Sequence, residues 1–108
     1  MSRSLFTCRV IELIRAIPLG RVCTYGLLAA AAGNPGGARQ VSRILHSCSE
    51  KEGLPWHRVV NRNGRISLTG SAHDLQKGLL MAEGILFTKG GSLNLDRFLW
   101  VPSDGSFS

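Results

Sequence analysis

A mainly α fold with a small β-hairpin is predicted for this chain of 108 residues, and three observations predict it. Apolar residues recur at helical spacing in separate stretches along the chain. Extended runs are short and confined to the middle. The strongest reversal signal, Asn61-Arg62-Asn63-Gly64, lies between two of those runs, and Asn-Gly tolerates the positive φ of a hairpin turn. The length fits one domain, expected over residues 1–102, with 103–108 as a flexible tail.

The elements follow in order. Leu5, Phe6, Val10, Leu13, Ile14 and Ile17 mark a helix over 5–17, with Ser4 as cap and Pro18 and Gly20 as its stop. Thr24 caps a second, alanine-rich helix over 25–32, which Gly33 ends. Asn34-Pro35-Gly36-Gly37 is a tight turn. A third helix over 38–47 buries Val41, Ile44 and Leu45. Two short helices joined by a Gly-bearing turn make a helix-turn-helix. Residues 49–53 read as polar loop. Runs 56–60 and 65–68 then form the hairpin, which would serve as a wing: a winged helix-turn-helix-like domain. A last helix over 74–83 carries Leu75, Leu79 and Leu80 and is closed by Gly84. Residues 85–88 are extended, and 94–101 dock Leu95, Phe98, Leu99 and Trp100.

Composition narrows the function. Thirteen Lys and Arg against seven Asp and Glu give a net charge of +6 and a pI near 10.1, the balance of a protein that meets a polyanion, nucleic acid first. The longest apolar run, 27–32, is far short of the roughly 20 residues a membrane span needs. No secretory or targeting segment is seen, so a cytoplasmic protein, nucleoid-associated if bacterial, is expected. Cys8, Cys23 and Cys48 are odd in number and contain no CxxC, which excludes a disulfide framework and a zinc knuckle. His46, His57 and His73 are too widely spaced for a metal site, and no cofactor motif is present.

Candidate binding residues cluster twice. Arg39 and Arg43 lie one turn apart on the third helix, behind Gly36-Gly37, whose lack of side chains would let a backbone approach. Arg58, Arg62 and Arg65 on the hairpin make a second basic group that would track a phosphate backbone. A solvated helix face is the alternative for the first group. Pro55-Trp56-His57-Arg58-Val59 is the densest chemical segment, with core packing as the alternative for its Trp-His pair.

Six linked motifs carry a resemblance. Ile17-Pro18-x-Gly20, Thr24-Tyr25-Gly26-x-Leu28-Ala29, Gly33-Asn34-Pro35, Ala38-Arg39-x-Val41, Pro55-Trp56-His57-Arg58-Val59-Val60 and Leu79-Leu80-x-x-Glu83-Gly84 resemble the C-terminal DNA-binding domain of O6-alkylguanine-DNA alkyltransferases. The match runs over residues 5–87. In the enzymes the fifth motif reads Pro-Cys-His-Arg-Val, and its cysteine accepts the alkyl group. Trp56 stands there in this chain, the substitution that marks the alkyltransferase-like proteins. The ending Asn94-Leu95-Asp96…Trp100 is similar to that subgroup as well.

The resemblance implies a non-enzymatic sensor that binds O6-alkylguanine in duplex DNA through the minor groove, flips the nucleotide, and directs the lesion to nucleotide excision repair proteins. It implies that Arg39 fills the gap left by the flipped base, Tyr25 crowds the target phosphate, and the Val59 carbonyl reads the guanine amine. Trp56 would pack against the O6-alkyl chain, since an indole offers only an N–H donor and no nucleophile. Thr69 and Gly70 fall at the loop that covers the base, where the enzymes usually carry a tyrosine. His57 and Glu83 match the enzymes' water-linked proton relay, whose asparagine is replaced by Cys48. Phosphate contacts are expected from Thr24, Asn34, Arg43 and Arg62, and a monomer is expected in solution. Two other readings remain open from the residues: a winged-helix transcription regulator on an intact operator, and an alkyltransferase using Cys8, Cys23 or Cys48.

Overall fold

The computed structural model describes residues 4–102; the tail expected over 103–108 lies outside the described residues. The order is α1 (Leu5–Ala16), β1 (Cys23–Thr24), α2 (Tyr25–Ala31), α3 (Ala38–Glu52), a 3-10 turn (Trp56–Arg58), β2 (Val59–Val60), α4 (Gly70–Ala82) and α5 (Leu95–Phe98). The caps are local chemistry. Ser4 accepts from the Thr7 N–H at the start of α1, and Thr24 Oγ1 accepts from the Leu27 N–H at the start of α2.

Two cores divide the chain. Val10, Leu13, Ile14 and Ile17 pack with Leu28, Val41 and Leu54 in a helical core. Val22, Val60, Leu80, Ile85, Leu93 and Phe98 form a second, C-terminal core. A parallel pair, Cys23 with Val59 and Thr24 with Val60, lies between them. Side chains alternate along a strand, so Cys23 and Val59 join the helical core while Val22 and Val60 join the other. On its far side this ribbon gains the C-terminal segment, with the Val22 N–H donating to Phe98 O and the Trp100 N–H to Val22 O.

The wing is the expectation the structure overturns. The turn itself forms: Gly64 has φ +72°, and Asn61 Oδ1 accepts from the Asn63 and Arg65 N–H groups. An added Cβ on Gly64 would lie 2.6 Å from Leu93 O, so close packing demands glycine there as well. Yet the two limbs do not pair beyond it. Val59-Val60 is apolar on both faces, and burial between two cores is the better partner for such a strand than an exposed hairpin. Arg65 instead bridges Ser92. Residues 56–58 coil into the 3-10 turn behind Pro55.

Two helices are longer than expected. α3 runs on to Glu52 through the predicted loop; Ser47 Oγ donates back to Arg43 O, so its hydroxyl is satisfied without interrupting the helix. It stops at Gly53, which is left-handed, while Arg15 pairs with Glu52 at 2.8 Å and ties its end to α1. α4 starts at Gly70, ahead of the expected residue 74.

Candidate nucleic-acid interface

The turn between α2 and α3 sets the position of the first arginine. Gly37, the residue before α3, is buried, and a Cβ there would meet Phe6 Cζ and Asn34 Nδ2 at 3.0 Å. Its missing side chain therefore admits α1 and the turn, not an external backbone. Asn34 stays exposed beside it. Arg39 and Arg43 project from the exposed face of α3, opposite buried Val41 and Ile44. Arg39 makes no side-chain hydrogen bond or ion pair among the described residues. Arg43 borders a shallow cleft of about 290 Å³ with Phe6 and Gln40.

A cavity of about 610 Å³ opens between α3, the start of α2 and the 3-10 turn. That is within the roughly 300–1,000 Å³ of small-molecule sites. Tyr25, Leu45, Leu54, Trp56 and Leu68 supply its apolar walls. Ser42, His46, Ser49 and Glu50 line it from α3, and Gln76 from α4. Trp56 stands edge-on to His57, with ring centroids 6.1 Å apart and planes at 85°.

Behind the cavity Glu83 collects every donor in reach. His57 Nε2 lies 2.6 Å from its Oε2, Arg58 Nε and Nη2 donate at 3.0 and 2.9 Å, and the Gly20 N–H donates at 3.0 Å. Partial burial pushes the carboxyl up, but the bonds from Arg58, Gly20 and His57 outweigh it and hold the pKa at about 2. Arg58 also donates from Nη1 to Ile17 O and is only 16% exposed, so it is not the surface phosphate contact expected of it. Burial pushes the Cys23 thiol up to about 12, against a smaller opposing bond from the Thr24 backbone. Cys8 is exposed on α1, Cys48 sits 3.6 Å from Ser47 Oγ, and none of the three thiols lines the cavity.

The expected site residues therefore sort into groups. Tyr25 and Trp56 share the cavity wall. His57 and Glu83 are bonded to one another. Val59 is buried, and its carbonyl accepts from Gln76 Nε2 at 3.0 Å. Thr69 and Gly70 are exposed at the start of α4 and do not line the cavity; neighbouring Leu68 does. Thr24 is buried, with its hydroxyl on the Leu27 N–H. Arg62 is exposed in the Asn61–Arg65 turn. Sequence reasoning missed Leu45, Leu68, the polar wall of α3, and Gln76. Only Gln76 left a readable signal: a polar residue one turn before Leu80, on the stripe that α4 buries.

Comparison with known proteins agrees with this geometry. Residues 5–85 match the family model of the 6-O-methylguanine DNA methyltransferase DNA-binding domain. The chain is 47% identical over 95 residues to the DNA base-flipping protein of Escherichia coli, covering 88% of this chain and 74% of that one. It is 34% identical over 103 residues to alkyltransferase-like protein 1 of Schizosaccharomyces pombe, covering 90% and 95%. The crystal structure of S. pombe Atl1 in complex with damaged DNA containing O6-carboxymethylguanine superposes with a TM-score of 0.79 at 34% identity, over 94% of this chain and all of that one. By motif, fold and descent, this chain belongs to the family of 6-O-methylguanine DNA methyltransferase DNA-binding domains, among its alkyltransferase-like members.

Proposed function

We propose that this protein is a non-enzymatic sensor of alkylation damage. It binds duplex DNA through the minor groove, flips O6-alkylguanine into the cavity walled by Tyr25 and Trp56, and holds the helix open with Arg39. The observation that carries this reading is a free, exposed guanidinium at the start of α3 together with a base-sized cavity in the same domain. A planar cation with no internal partner loses none of its own bonds when it enters the base stack. Flipping costs a few kcal/mol, and less for a damaged, poorly paired base. Tyr25, at the first residue of α2, meets the phosphate of the rotated nucleotide. Asn34, Arg43, Arg62 and the backbone about Thr24 hold the flanking phosphates, and the stretch at Thr69 and Gly70 closes over the base.

The same cavity is unsuited to alkyl transfer. Its wall carries an indole where the enzymes carry a thiol, and Cys23 is buried with its thiol held neutral. His57 and Glu83 persist as a bonded pair with no nucleophile to serve. The protein acts as a monomer, and the held-open complex is handed to nucleotide excision repair proteins. The decisive experiment is a binding curve on one duplex with and without a single O6-methylguanine, followed by intact mass. Tighter binding to the lesion is expected, with both molecules unchanged in mass. Equal affinity for the two duplexes would overturn the sensor. A protein heavier by about one methylene, the net gain when a methyl replaces a thiol hydrogen, would make it an enzyme.

A further inference from the structure

Gln76 is a buried amide of α4, only 2% exposed, that borders the cavity. Its Nε2 donates to two backbone carbonyls, His57 O and Val59 O, each at 3.0 Å. Both partners are acceptors, so the nitrogen end of the amide belongs there. The oxygen end, Oε1, accepts from no donor among the described residues. Ser49 Oγ, also at this cavity, is buried with no hydrogen-bond partner among the described residues. Buried polar atoms left without a partner are uncommon, and one at the cavity wall, together with an amide oxygen that accepts from no donor among the described residues, marks a place where a ligand completes the bonding.

We propose that Gln76 is a specificity-determining residue of this cavity, its Oε1 accepting a hydrogen bond from the exocyclic 2-amino group of a flipped O6-alkylguanine. The inference rests on the function proposed above and names which edge of the base is read. A carbonyl oxygen only accepts, so it selects an N–H donor. Alkylation at O6 removes the hydrogen from N1 of guanine, and the 2-amino group is then the base's only N–H donor. The Val59 carbonyl, to which the resemblance assigns this reading, already accepts from Gln76. Gln76 lines the cavity and adds a side-chain acceptor beside that backbone carbonyl. An alkylated purine without the 2-amino group leaves Oε1 desolvated and unpaired, which is the penalty that discriminates.

The test compares two duplexes, one with O6-methylguanine and one with 6-methoxypurine, which differs only in lacking the 2-amino group. The wild type is expected to prefer the first by about tenfold, the weight of one good hydrogen bond. Gln76→Lys keeps a donor for the His57 and Val59 carbonyls but has no acceptor, so the preference should fall to about one while affinity for 6-methoxypurine persists. A merely structural glutamine would leave that ratio untouched. Gln76→Met, similar in shape and without either polar end, gives the same readout if the lysine is not accommodated. Retention of the tenfold preference in the variants overturns the proposal and returns the reading to the Val59 carbonyl. A wild type indifferent to the 2-amino group, though selective for the methylated lesion, overturns this proposal alone. A wild type that binds guanine and O6-methylguanine duplexes equally overturns the sensor, and this inference with it.

Discussion

Arg39 and Arg58 are the same side chain in opposite circumstances. Arg39 stands on the outer face of α3 and spends none of its five donors on the described residues. Arg58 is nearly enclosed and divides its donors between Glu83 and Ile17 O. The first costs the fold little to keep and is free to act on something else. The second joins the 3-10 turn and the end of α1 to the end of α4, and its loss leaves Glu83 with only His57 and the Gly20 N–H. A net charge of +6 is therefore not a count of binding groups. What separates the two arginines is whether a carboxylate is folded against them.

The largest expected effect falls on stability. Arg58→Met should cost about 3 kcal/mol in urea denaturation, because it leaves a half-buried carboxylate with one partner fewer. Arg39→Ala should change stability by under about 0.5 kcal/mol, as exposed substitutions do, yet lose most of the preference for O6-methylguanine duplex. Similar stability losses for the two, or a loss by Arg39→Ala that is equal on damaged and undamaged DNA, would break the contrast.

The Glu83 hub gives the next effect. Its pKa of about 2 lies below the ordinary 4.5, so its contribution is whole above pH 4.5 and drains away as pH falls from there toward 2. Urea midpoints of the wild type and Glu83→Gln should therefore stay a constant distance apart at neutral pH and converge below pH 4.5. A gap that does not change across that window would remove Glu83 from the centre of the network.

Smaller again is Arg62→Ala. The turn places this side chain in solvent with no ion pair among the described residues, so it should meet phosphates alone. Affinity should drop by the same factor on every duplex, and the salt slope should shrink by about one. A drop confined to the lesion duplex would give Arg62 part of the role proposed for Arg39.

The smallest expected change is in Trp56→Cys, where single-turnover assay should find slow or no alkyl transfer. A free thiol near pKa 8.5 is a few per cent thiolate at neutral pH. His57 and Glu83 are bonded to one another, but by the resemblance Cys48 stands where the enzymes carry the orienting asparagine and Thr69 where they carry the covering tyrosine, so both positioning and acidity are expected to be lost. Transfer within seconds at micromolar protein would mean the tryptophan alone separates this chain from an enzyme.

The sequence by itself determined whatever depends on near neighbours. Ser4 and Thr24 cap α1 and α2 because each needs only the N–H three residues on. Asn63-Gly64 turns the chain because the conformation is intrinsic to those residues. The apolar periodicity of α1 and α3 names their buried faces, and the motif around Trp56 names the family. Tertiary structure decided what depends on partners remote in the chain. Two-residue strands have no periodicity to read, so nothing local could pair Val59 with Cys23 rather than with the limb beyond the turn. Arg58 meets Glu83 from 25 residues away, and Gln76 meets Val59 O from 17. Side chains such as these carry no mark of whether they will be free or consumed, because burial and ion pairing are properties of the assembled cores. Which arginine stays free of a carboxylate, and which polar side chains line the cavity, is settled only when the two cores close on the ribbon between them.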